Sequence, residues 1–212
     1  MDRMDWLTWH AAYDDPSSAL NVRLRRVQIH LAQAIDLAPP GPVSLVSLCA
    51  GQGRDVIGVL PAHPRRDDVR AVLVEYDPRN ADLARRTAEQ AGLAQVEVRQ
   101  ADAGTPASFA DALPADVLLL CGIFGNVSDS DIEHTVAAAQ AMGQPGATVI
   151  WTRHRRAPDM TPQIRAWFEA SGFDEVAFDP IASDHLMSVG VNRLTRPATA
   201  GRPGGRLFTF RR

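Results

Sequence analysis

The stretch Val43-Ser44-Leu45-Val46-Ser47-Leu48-Cys49-Ala50-Gly51-Gln52-Gly53-Arg54-Asp55 decides how this chain is read. Val43 to Cys49 is a short apolar run ending in glycines, the pattern of a buried strand. Gly51 and Gly53 allow a tight turn and let a ligand approach backbone atoms closely. A helix is expected from Arg54 to Leu60, closed by Pro61 and Pro64. Its first turn offers free N–H groups to a carboxylate or phosphate. The same glycines also suit a plain strand-to-helix turn, and a Gly-x-Gly by itself does not separate the two readings.

Upstream, residues 1–16 are irregular and aromatic, with Trp6, Trp9, His10 and Tyr13. Ser17 or Ser18 caps a helix whose Leu20, Leu24, Val27, Leu31, Ala34 and Ile35 recur at three and four residues. Pro39-Pro40-Gly41-Pro42 ends it. Downstream, strands are expected from Val69 to Tyr76, Gln95 to Arg99, Ala115 to Cys121 and Ala147 to Thr152. Helices fall between them: Pro78 to Ala91, one capped by Ser130 and running through Met142, and one opened by Thr161-Pro162 and closed by Gly172. Phe173 to Phe178 and Arg206 to Phe210 read as the last two strands, paired as an antiparallel hairpin. The alternation predicts an α/β fold, a doubly wound sheet with helices on both faces. No internal boundary appears, so residues 1–212 read as one domain, with 1–42 as an N-terminal segment and helix forming a lid or cap.

Composition narrows the function. The chain has 212 residues, 45% of them hydrophobic, with a net charge of −3 and a pI near 6.0. That balance lacks the basic excess usual in nucleic-acid binders. Lysine is absent, so all 22 basic residues are arginine. Lysine Schiff-base chemistry and a phosphate loop ending in Gly-Lys-Ser/Thr are therefore excluded. Arginine-for-lysine and abundant alanine also fit a GC-rich genome. Cys49 and Cys121 sit inside apolar runs, which rules out a disulfide-built scaffold and leads to the expectation of reduced, partly buried thiols. They end neighbouring strands in the expected order, which suggests nearby sulfurs. No metal site is expected. The charged start and the lack of a long apolar run lead to the expectation of a soluble, cytoplasmic protein without a membrane partner. Oligomeric state is left open.

In an open parallel sheet, ligands bind beyond the carboxyl ends of the strands. Glu75 ends the second strand, 22 residues beyond Gly53, where an acid accepting both ribose hydroxyls belongs. Asp77 is better placed than Glu75 to cap the helix at Pro78. A nicotinamide enzyme would need a third glycine at position 56, where Val56 stands. A non-catalytic nucleoside-binding protein on the same scaffold stays open beside it.

Four strings in order resemble the motifs of class I S-adenosylmethionine-dependent methyltransferases. They are Leu45 to Asp55, Val72 to Pro78, Arg99 to Ala103, and Asp116 to Val127. The resemblance implies a Rossmann-like sheet of seven strands in the order three-two-one-four-five-seven-six, mostly parallel with an antiparallel last strand. It implies S-adenosylmethionine as the methyl donor. Cys49, Ala50, Gly51, Gly53 and Asp55 would form the first donor loop, with Glu75 and Tyr76 at the ribose. Asp102 and Ala103 would meet the adenine, and Cys121 and Gly122 would line the methyl end. Ser47 and Cys49 stand where the family usually has an acid and a glycine.

The acceptor is read less directly. Candidate bases are His10, Tyr13, Asp14, His154 and His185, of which His154 and Tyr13 are taken as catalytic candidates. Trp9, Tyr13, Asn126 and Arg153 are taken as acceptor-binding. Arg153-His154-Arg155-Arg156 follows the fifth strand, where guanidinium groups grip a carboxylate or phosphate, although a solvated charged loop has the same composition. No Asn/Asp-Pro-Pro-Tyr string follows the fourth strand. A small-molecule acceptor, methylated at O or N, is expected rather than nucleic acid. His30, His63 and His134 read as surface residues.

Overall fold

Apolar runs with no polar face need cover on both sides, and each central strand here has it. The strands are β1 (Val43–Leu48), β2 (Val69–Glu75), β3 (Val96–Gln100), β4 (Ala115–Leu120), β5 (Gly143–His154), β6 (Phe173–Pro180) and β7 (Met187–Leu194). They form one sheet in the order β3-β2-β1-β4-β5-β7-β6. β1 to β5 are parallel, and β7 runs antiparallel to both β5 and β6. The structure is a computed structural model that describes residues 11–181, 186–196 and 204–211. Trp6, Trp9, His10 and His185 lie outside the described residues.

The helices are α1 (Ala19–Leu37), α2 (Val56–Val59), α3 (Pro78–Gln90), α4 (Asp129–Met142) and α5 (Thr161–Ala170). Each of α1 to α3 buries apolar residues against one face, among them Leu31 and Ile35 of α1 beside Leu45, Leu73 and Leu119. On the other face, α4 and α5 close over Trp151, Phe124 and Leu120. Ser18 caps α1 by accepting from the Asn21 N–H at 3.1 Å, and Asp77 caps α3 through the Arg79 N–H. The cap of α4 is Ser128 rather than Ser130. No described helix is long and apolar enough to cross a membrane.

Four expectations are corrected. The seventh strand is Met187–Leu194, not 206–210. Its Gly190 and Asn192 weaken the strand pattern, yet both serve Trp151 on β5. A side chain at 190 would collide with the indole ring, and the indole N–H donates to Asn192 Oδ1 at 2.8 Å. Residues 206–210 instead run as irregular backbone, with Leu207 and Phe208 buried. The helix expected over 54–60 is one α-turn followed by a 3-10 turn at Leu60–Ala62. Cys49 packs into the core on the α4 side and Cys121 into the core on the α1 side, so neighbouring strands hold the two thiols on opposite faces. His63 is buried rather than exposed, with its Nδ1 accepting the Arg65 N–H at 3.1 Å.

Candidate functional site

The loops after β1, β2 and β3 meet at the carboxyl edge of the sheet. After β1 the backbone enters the left-handed region at Cys49 (φ 55°), Gly51 (φ 56°) and Gly53 (φ 67°). The turn closes through Gly53 N–H to Ala50 O at 2.9 Å, while Ala50 N–H bonds Val74 O at 3.0 Å. Gly53 is required by packing as well as by φ: a Cβ there would sit 2.8 Å from both Ile57 Cδ1 and Leu73 Cδ2. Glu75 reaches into this turn. Its Oε2 accepts the Gly51 N–H at 2.7 Å and its Oε1 accepts the Asp77 N–H at 2.8 Å. Burial pushes the Glu75 carboxyl above its usual range, against the pull of those N–H groups. Tyr76 beside it is 67% exposed. Beyond β3, Asp102 accepts the Gly104 N–H at 2.9 Å and pairs with Arg206 at 2.7 Å, next to buried Ala103.

A second cluster sits on the α1 side of the same edge. Asp55 is buried and accepts the Val56 N–H at 2.8 Å. Burial raises its carboxyl to about 6. The Ala11–Asp14 turn sits against the loop after β1. Arg23 donates to the Tyr13 hydroxyl at 2.6 Å, and Arg54 lies over the Tyr13 ring and pairs with Asp14. Burial holds the Tyr13 hydroxyl and the Cys121 thiol in their protonated forms. Arg23 lies mainly off the apolar stripe of α1, so the periodicity gave it no site role.

The loops after β4 and β5 form the remaining wall. Gly122 (φ 77°) donates its N–H to Thr152 Oγ1 at 2.8 Å, and a Cβ on it would meet nothing within 4 Å. Asn126 Nδ2 donates to Gly122 O at 2.7 Å, so Asn126 shapes this loop. Arg153 crosses from β5 to donate to Phe124 O. Arg153 Nε, His154 Nδ1 and Arg155 Nε are buried without a hydrogen-bond partner among the described residues. Arg156 is exposed. Burial, then the charges of Arg153 and Arg156, lower the His154 pKa, which favours neutral imidazole.

Residues 204–211 lie between the two walls, and sequence reasoning assigned them no site role. Leu207 N–H bonds Gly104 O at 2.8 Å, Thr135 Oγ1 donates to Leu207 O at 3.1 Å, and Arg211 N–H bonds Asn126 O at 2.7 Å. A cavity of about 580 Å³ opens elsewhere, between Arg70 and Glu97 at the amino ends of β2 and β3. It lies away from every loop named above, so size does not mark the site; chemistry does.

Known proteins share the family and the fold. A family described as "putative methyltransferase" matches residues 18–169, well over half of the chain. The fold resembles magnesium protoporphyrin IX methyltransferase from Synechocystis PCC 6803 with bound SAM, at 11% identity and a TM-score of 0.69, covering 91% of this chain and 92% of that one. It also resembles an O-methyltransferase family protein from Burkholderia thailandensis, at 16% identity and a TM-score of 0.60, covering 84% and 59%. An RNA methyltransferase from Salinibacter ruber in complex with S-adenosyl-L-homocysteine matches at 21% identity and a TM-score of 0.55, covering 84% and 94%. The chain thus spans less than two thirds of the Burkholderia protein's length. No curated protein matches. The expected seven-stranded Rossmann-like architecture is the observed one, and the chain belongs to this methyltransferase family.

Proposed function

We propose that the chain transfers a methyl group from S-adenosylmethionine to a small molecule bearing an acid group, at oxygen or nitrogen. The observation that carries this reading is the meeting of Glu75 with the Gly51 turn, opposite the buried and unpartnered nitrogens of residues 153–155. The residues suit the donor. A carboxylate has about four lone-pair positions, and Glu75 spends two on backbone N–H groups, leaving two for a ribose diol. The open space over Gly122 lies at the adjoining strand end. Bound there, the donor supplies a sulfonium methyl for in-line displacement.

Arg153 holds the acceptor's acid group, because a guanidinium presents paired donors to a carboxylate. His154 takes the acceptor's proton, since its depressed pKa leaves the imidazole neutral and able to accept. Tyr13, held protonated, lines the pocket and is the weaker base. Residues 1–42 act as the cap of a single domain: α1 packs on the sheet and the turn before it reaches the mouth. Excluding water there leaves the reacting groups in fixed surroundings. The acceptor is a small molecule rather than a nucleic acid, in keeping with the net charge of −3.

Titration calorimetry with S-adenosylmethionine, S-adenosylhomocysteine and NAD tests the donor, and NAD binding alone would sink the reading. Turnover on a panel of planar aromatic acids tests the acceptor. Arg153→Ala should then raise the acceptor's KM about tenfold or more with donor affinity unchanged, the mark of lost uniform binding. Donor binding without turnover on any acceptor would favour the non-catalytic nucleoside binder.

A further inference from the structure

We propose that Arg206, carried by the C-terminal segment, is a positioning residue that sets the purine preference of the donor site. The inference rests on the donor reading above, with Asp102 at the adenine amino group as the motif resemblance implies. Asp102 is not held by its own loop alone. Its Oδ1 accepts the Gly104 N–H at 2.9 Å, and its Oδ2 accepts from Arg206 Nη2 at 2.7 Å, from a residue 104 positions later. The side chains of this pair are 50% and 41% exposed. Ion pairs of that exposure add little to stability, so fold maintenance does not explain why the chain brings an arginine back to this carboxylate.

The segment that carries Arg206 is fixed from Leu207 onward. Leu207 and Phe208 are buried against the sheet face that holds Phe109 and Phe124. Gly104 leaves no room for a side chain: a Cβ there would collide with Phe208 O and lie 3.0 Å from Arg206 Nη1. Arg206 also donates from Nη1 to Phe208 O at 3.2 Å, which orients the guanidinium toward Asp102. Further along, Thr209 N–H bonds Asp131 Oδ2 at 3.1 Å and Arg211 N–H bonds Asn126 O at 2.7 Å. The guanidinium thus comes from a rigid support and locks one carboxylate rotamer.

An orientation lock has a consequence that simple packing lacks. A carboxylate aimed as an acceptor favours a purine with an amino group over one with a carbonyl at the same position, because the carbonyl brings no proton to share. Fixing the carboxylate sharpens this discrimination, and freeing it blurs it.

The test compares S-adenosylhomocysteine with S-inosylhomocysteine by calorimetry on the full chain, with thermal melts alongside. The wild type should favour the adenine ligand about tenfold or more, the range of a charged hydrogen bond. Arg206→Ala should lower that ratio about fivefold with the melting temperature nearly unchanged, and Arg206→Lys should restore part of it. An unchanged ratio in Arg206→Ala overturns the inference. So does an equal loss for both ligands accompanied by a lower melting temperature, which marks a merely structural arginine. A wild type that binds neither ligand removes the donor reading itself, a different result from a wild type that binds and an Arg206→Ala that discriminates as well.

Discussion

The two walls of the mouth are built differently. The wall made by the loops after β1 and β2 is held by bonds between those two strands, Gly51 to Glu75 and Ala50 to Val74, and by one within the turn, Gly53 to Ala50. The wall made by the loops after β3, β4 and β5 also draws on distant chain. Phe124 is met by Arg153 of the adjacent strand, but Asn126 is met by Arg211, Asp102 by Arg206 and Gly104 by Leu207. The first wall is dictated by local turn chemistry and tolerates little change. The second is a meeting place whose parts acquire meaning only after folding. Substitutions should hit the first wall as losses of stability and donor affinity together, and the acceptor-facing side chains of the second, Arg153 above all, as losses at the acceptor.

The largest effect is expected at Gly53. Gly53→Ala places a Cβ at φ 67° and 2.8 Å from two buried side-chain atoms. Left-handed strain of about 1–2 kcal/mol adds to overpacking of about 1–3 kcal/mol. Gly122→Ala, at φ 77° with nothing within 4 Å, incurs the strain alone. Denaturant melts should rank Gly53→Ala well below Gly122→Ala, and equal costs would show that the walls do not differ in packing.

Glu75→Gln comes next. Both carboxylate oxygens accept backbone N–H groups, so a carboxamide turns its NH2 toward one of them. One N–H then loses its acceptor, at about 1–3 kcal/mol of stability, and donor affinity falls one to two decades through the lost charged acceptor. A variant with normal melting but weak donor binding would mean that the turn does not depend on the acid.

Asp55→Asn separates charge from cap. The folded carboxyl titrates near 6, above its ordinary value of 3.8, because burial disfavours the ionised form. The sign follows: the folded state binds the proton more tightly, so this group's contribution is complete below about pH 4 and is lost as pH rises through 6. Asparagine caps helices as well as aspartate does and carries no charge. Asp55→Asn should therefore match the wild type near pH 4 and exceed it by about 1–3 kcal/mol at pH 8. Equal stability across that range would place Asp55 in a more solvated setting than its burial implies.

Legibility in the sequence divides along the same line. The strands β1 to β5, the Asp77 cap and the place of Glu75 at the end of β2 were readable because each depends on residue types within one or two elements. β7 was not, because Gly190 and Asn192 answer to Trp151 and Ser188 to the Arg153 carbonyl, all on another strand, and dilute the apolar alternation. Leu207 and Phe208 gave the opposite error: an apolar alternation that reads as a strand fills a gap over Phe109, where the β3–β4 connection has only 3-10 turns. Arg206 reaching Asp102 had no signal at all, since charge complementarity across 104 residues has no period.

The smallest effect tests whether the left-handed turn or the thiol matters at Cys49. Cys49 is a non-glycine residue at φ 55°, at the position where the motif resemblance expects glycine. Cys49→Gly removes about 1–2 kcal/mol of left-handed strain. Against this stand the greater freedom of an unfolded glycine, about 0.5–1 kcal/mol, and the loss of a sulfur packed on the core. These terms nearly cancel, so the melt should move by less than about 0.5 kcal/mol. Cys121 is the control: it packs on the opposite core with no left-handed strain to release. Cys121→Gly should therefore cost roughly 1–2 kcal/mol more than Cys49→Gly, by about the strain that only Cys49 carries. If both substitutions cost the same, the packing of the Cys49 sulfur outweighs its backbone strain, and the first wall is held by side chains after all.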